Sequence, residues 1–116
     1  MYGSKSLRSI GAAILFACLT PLACAVDADA EYAAGLDAAQ GLHYGDALEY
    51  FTRAAAHGNR DAMRTAGLMM LYGEALYGQE VHKDWIVAIH LLAEAANRGC
   101  TVSAFVLQQV ARHHLG

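Results

Sequence analysis

From Ala30 onward, apolar positions recur at three- and four-residue steps and glycines interrupt them at intervals, with no run of β-branched residues alternating with polar ones. That pattern predicts helices and no strands. A first helix spans about Asp29 to Gln40 and stops at Gly41, since glycine tolerates the left-handed backbone that closes a helix. A second starts near Asp46, whose carboxylate can cap the first turn with Glu49 three residues on, and ends at His57-Gly58. A third runs from Asn59 or Arg60 to Tyr72, with Asn59 as cap and Gly73 past its end. The stretch Glu74 to Lys83, polar and containing Gly78, reads as a surface loop. Asp84 then opens a fourth helix with Trp85, Ala88, Ile89, Leu92 and Ala96 on one apolar face, ending at Gly99. A fifth covers about Thr101 to His113, with Ala104, Val106, Leu107 and Val110 as its buried candidates.

The same chain is self-similar. Gly35, Ala47, Phe51, Ala54 and Gly58 align with Gly67, Ala88, Leu92, Ala95 and Gly99, and Ala30, Gly35 and Gly41 share the spacing of Ala62, Gly67 and Gly73. The second copy is longer by nine residues, all of them after Gly73. Two antiparallel helices approach closely only where small side chains meet. Gly35 and Gly67 are therefore expected to face Ala47 and Ala88, with Phe51 and Leu92 filling the adjoining space. One such hairpin cannot bury its apolar face alone, so successive hairpins should stack, the last helix covering the second pair.

Residues 62 to 99 resemble a Sel1-like repeat along their whole length. The match is carried by Ala62, Gly67, Gly73, the run Gly78-Gln79-Glu80-Val81-His82-Lys83-Asp84, then Ala88 and Ala95-Ala96-Asn97-Arg98-Gly99. The first copy lacks the long loop and is more similar to a tetratricopeptide repeat, through Gly35, Ala47, Phe51 and Ala54. Ala38 and Met70 depart from the tyrosine that the family often has, Ala34 and Ala66 from leucine, and Gln108 from a third glycine. The resemblance implies an all-α fold: a short α-α solenoid of antiparallel helix pairs, about five helices in all. Repeat one lies at about 30–61, repeat two at about 62–102, and a capping helix at about 103–114. Some Sel1-like proteins carry cysteine pairs in every repeat and are associated with hydrolase activity; this chain has no such pairs.

The N-terminal segment reads as an address. Lys5 and Arg8 precede an apolar stretch from Ile10 to Leu19, then Pro21 and Ala23-Cys24-Ala25, which is the three-part layout of a secretory signal cleaved after Ala25. Residues 1–25 are assigned to it and 26–116 to the repeat domain. The apolar run is shorter than the ~20 residues a membrane span needs. The mature protein is thus expected in the periplasm or secreted; lipidation at Cys24, giving an outer-membrane lipoprotein, is the alternative, with Pro21 where that signal prefers leucine. Cleavage after Ala25 leaves Cys100 as the one cysteine, so no intrachain disulfide forms.

Charge and chemistry narrow the function. The net charge of −3 moves to about −5 without Lys5 and Arg8, and the remaining lysine and arginines are dispersed, which argues against nucleic acid. His57 and His82 fall at a helix end or in a loop, His90 is the counterpart of Glu49, and His113 and His114 point about 100° apart on a helix rather than chelating as an i, i+4 pair. No metal or other cofactor is expected. No zinc-protease, nucleophile-elbow or phosphate-loop motif occurs, so a non-enzymatic role is expected and a cell-envelope hydrolase is the remote alternative. The first helix of each repeat would present a concave face carrying Tyr32, Leu36, Ala39 and Gln40, then Arg64, Leu68, Leu71 and Tyr72, then Phe105, Gln109 and Arg112. Leu68 and Leu71 are equally suited to the core. Tyr32, Gln40, Arg64, Tyr72, Gln109 and Arg112 are the candidate contacts for a partner protein or peptide with apolar anchors and an acidic group. With two and a half repeats, completion of the fold by homo-association is the second reading.

Overall fold

A computed structural model describes residues 27–115, and those residues are all-helical and without strands. Helix α1 occupies 27–40. It is followed by α2 (Tyr44–Ala56), α3 (Arg60–Tyr72), the single turn α4 (Glu74–Tyr77), α5 (Trp85–Asn97) and α6 (Thr101–Leu115). The expectations placed on Lys5, Arg8, Pro21, Cys24 and the cleavage site lie outside the described residues.

Local chemistry sets the helix starts. The Asn59 side chain accepts from the Ala62 amide at 2.8 Å and the Asp84 carboxylate from the Val87 amide at 3.1 Å; each satisfies an amide that has no partner inside its own helix, worth about 1 kcal/mol. Asp46 does not cap α2. That helix begins two residues earlier, after His43, and Asp46 lies inside its first turn, where a carboxylate still opposes the positive end of the helix dipole. The cap expected from Asp46 is instead supplied from far along the chain: the Glu80 carboxylate accepts from the Gly45 amide at 3.2 Å.

Consecutive helices pack antiparallel. Arg60, at the start of α3, donates to the Arg98 carbonyl at the end of α5 (3.4 Å), while the Asp84 amide at the start of α5 donates to the Met70 carbonyl near the end of α3 (3.0 Å). The two glycines mark the close approaches. A Cβ at Gly35 would lie 2.5 Å from the Phe51 ring, and one at Gly67 would lie 2.9 Å from Leu92 and 3.3 Å from the Ala88 carbonyl oxygen. The absent side chain in each first helix is thus the space that a large side chain of its partner fills. Phe51, Leu92, Ala47 and Ala88 are all fully buried, and burial of a Phe or Leu side chain contributes about 1.5–3 kcal/mol.

The segment after Gly73 departs from the expected surface loop. Its first residues form α4, Val81 is 0% exposed within the core of α2, α3 and α5, and the Tyr77 ring meets Tyr44 edge-on at 5.3 Å. Burial pushes the Tyr77 hydroxyl above its ordinary pKa, with Tyr44 and Tyr72 adding to the effect. Together with Glu80 on Gly45, these contacts make 74–84 a strap across the start of α2. One valine in a polar stretch has no periodicity to reveal it.

α6 packs on α5 and α3 through Val106, Leu107 and Val110 against Leu71, Ala88 and Leu92. Ala104, expected to be buried, is exposed, and Ser103 beside it is fully buried; its hydroxyl bonds Cys100 Sγ at 3.2 Å. Small size, not polarity, selects that position. Trp85, placed by its spacing on the apolar face of α5, is 41% exposed at the first residue of that helix.

Candidate functional site

An open groove of about 690 Å³ lies where the end of α3, the end of the strap, the start of α5 and one face of α6 from Phe105 to His114 meet. Leu71 forms part of its floor, buried against Ala88 and Leu92. Tyr72, Trp85 and Phe105 stand around it with 46%, 41% and 60% of their surface exposed. Three large, half-open aromatic surfaces around one concavity suit an apolar ligand side chain.

Backbone geometry fixes this wall. Gly73 has φ 58, and a Cβ there would fall 2.7 Å from Lys83 Cβ and 2.9 Å from Lys83 Cα, so the glycine allows the strap to close onto the end of α3. The bond from the Asp84 amide to the Met70 carbonyl holds it there, and the Asp84 cap starts α5 at Trp85. On the opposite side His114 lies against Trp85, with ring centroids 4.6 Å apart at 49°.

The groove has one sign of charge. Its ionisable cationic or basic side chains are Lys83, His113 and His114, and no carboxylate lines it. Among the described residues none of these three is ion-paired. The neighbouring Asp84 carboxylate is turned to its own helix.

Of the six residues expected to contact a partner, Tyr72 and Gln109 line this groove. Arg112 is exposed on α6 outside the lining, and Gln40 is exposed at the end of α1. Tyr32 is half-buried with its ring 5.6 Å from Phe51, packed against the core. Arg64 is half-buried, 3.4 Å from Asp61, and reaches toward Cys100. Phe105 lines the groove, Leu71 is buried and Leu68 packs beside it. The sequence pointed to α6 and the end of α3, but Lys83, Trp85 and the two histidines were missed as site residues. The available signal was a tryptophan in a first turn directly after a long insertion; helical spacing alone assigned it inward.

Elsewhere two histidines are tied to the scaffold. His57 Nδ1 lies 2.7 Å from Glu31 and His82 Nδ1 lies 3.2 Å from Glu74. Burial pushes the Cys100 thiol up, but the Ser103 hydroxyl and amide and the Arg64 guanidinium favour the thiolate more, leaving its pKa below the ordinary value. Among the described residues no group of three His, Cys, Asp or Glu side chains could hold a metal ion, and no helix is long and apolar enough to cross a membrane. Compared with family models, with curated proteins and with solved structures, the chain matches none.

Proposed function

We propose that this chain is an exported interaction module, a short Sel1-like helical stack that holds a segment of a partner protein or peptide without catalysing a reaction. The observation that carries the reading is the groove around Tyr72, Trp85 and Phe105: exposed aromatic surface on a backbone fixed by the Gly73–Lys83 contact. Half-exposed aromatics on a rigid frame are anchors of the kind that dominate binding energy at interfaces. Tyr72 and Gln109 are the expected contacts retained in this site, and Lys83 favours an acidic group on the ligand. Export, with release into the periplasm or medium, is supported by the layout of residues 1–25.

The test is differential capture. Wild type and a Tyr72→Ala, Gln109→Ala double variant, matched for helicity by circular dichroism, are used as bait in extracts of the native cell envelope and medium. A partner retained by wild type and depleted about tenfold or more from the variant supports the groove. Equal recovery of every bound protein by the two baits rejects it. Trp85 is the only tryptophan in the chain, so its fluorescence reports occupancy by any recovered partner directly.

A further inference from the structure

Lys83 and Trp85 flank a single extended residue. Asp84 holds φ -133 and ψ 96, which puts the Cα atoms of its two neighbours about 6–7 Å apart. Both neighbouring side chains line the groove, while the Asp84 carboxylate is occupied elsewhere, accepting from the Val87 amide at 3.1 Å. The bond from the Asp84 amide to the Met70 carbonyl, 3.0 Å long, ties this stretch to the end of α3. A cation and an indole are therefore presented together, at a set spacing, on one wall.

Both have unused capacity. Lys83 is exposed and, among the described residues, makes no ion pair, and no carboxylate lines the groove. Its ammonium group offers three donors to a carboxylate. Trp85 already accepts one flat ring, the His114 imidazole at a centroid distance of 4.6 Å and an angle of 49°. Tyr72 and Phe105 add two more partly exposed rings to the same concavity. A guest ring gains edge-to-face and offset contacts with these three that an aliphatic side chain does not.

We infer that the groove reads an aromatic and an acidic residue separated by one position in an extended segment of the partner, the ring entering among Tyr72, Trp85 and Phe105 and the carboxylate meeting Lys83. An extended chain puts side chains i and i+2 on one side, about 6–7 Å apart, which matches the spacing of Lys83 and Trp85; on a helix the same two positions lie on different faces. The electrostatic part comes from Lys83 alone and asks nothing of the protonation of His113 and His114. The inference rests on the groove being the docking surface proposed above and names what enters it.

Small probes test it on the full chain. Trp85 is its only tryptophan, so one indole N–H resonance reports even millimolar binding. The probes are acetylated, amidated pentapeptides: Gly-Phe-Ser-Glu-Gly, then Gly-Phe-Ser-Gln-Gly without the charge, Gly-Leu-Ser-Glu-Gly without the ring, and the isomer Gly-Phe-Glu-Ser-Gly with the spacing altered. The first should shift the Trp85 resonance saturably and bind about threefold tighter than each of the others, the scale of one solvent-exposed ion pair. Lys83→Gln, at an exposed side chain, should erase the preference for Glu over Gln and keep that for Phe over Leu. Absence of a saturable shift with the first peptide overturns the inference. So does equal affinity for the first peptide and any of the other three, or a preference for Glu that survives Lys83→Gln. The capture with the Tyr72 and Gln109 variant decides the docking surface separately: a partner depleted there, alongside no preference among these peptides, leaves that reading standing and removes this one.

Discussion

α3 and α6 occupy equivalent places and meet different fates. Each follows a helix through a glycine-centred turn, His57-Gly58-Asn59 or Arg98-Gly99-Cys100, and each has a fully buried small residue in its first turn, Ala62 or Ser103. Beyond that turn they diverge. α3 buries Met63, Ala66, Gly67, Met69 and Leu71, whereas α6 leaves Val106, Leu107 and Val110 half-covered and Phe105 open. α3 is sandwiched between α2 and α5; α6 meets α5 and the end of α3 on one side, and among the described residues no helix lies on the other. The difference is written at single positions: Gly67 admits Leu92, and the equivalent Gln108 presents a polar side chain to solvent. Among the described residues, the groove exists because α6 lacks the second neighbour that α3 has.

That contrast can be broken hardest at Leu92, which serves both helices. Leu92→Ala should cost about 2–5 kcal/mol in denaturant unfolding, since it empties the space against Gly67 and withdraws support from Leu107 and Val110. Next, Gly67→Ala should cost about 1–3 kcal/mol, because a Cβ would stand 2.9 Å from buried Leu92, and Gln108→Ala should stay within about 0.5 kcal/mol by the same measurement. Equal effects would remove the distinction between the helices. The Asn59→Ala loss of the α3 cap should follow at about 1 kcal/mol.

The smallest effect concerns the joint between them. Cys100 has a lowered folded pKa, so its thiolate contributes stability that is fully present above the unfolded value and lost as pH falls through the folded one. Wild type should therefore gain slightly on Cys100→Ala as pH rises through the window between the two. Thermal midpoints measured for the pair at neutral and mildly alkaline pH check the sign; a gap that narrows with pH contradicts it.

Much of this architecture is legible before any coordinates. The glycine at Gly35 or Gly67 with Phe51 or Leu92 opposite is a steric statement, and it predicts a contact as well as a helix. Asn59 and Asp84 announce helix starts by a local hydrogen bond that needs no tertiary partner. Asp46 carried the same signature and lost the role to Glu80, which is remote in sequence and brought near only when Val81 enters the core.

What the sequence determined by itself is therefore the helices and the places where they nestle, because turn chemistry and side-chain volume act over a few residues or recur at a fixed repeat. The tertiary structure decided the strap, the burial of Ser103 in place of Ala104, and the meeting of Lys83, Trp85 and His114 in one groove. Helical periodicity says which side of a helix seeks a neighbour. Whether a neighbour covers a given turn of that side depends on the lengths and directions of other helices, and an aromatic ring that no neighbour reaches becomes surface.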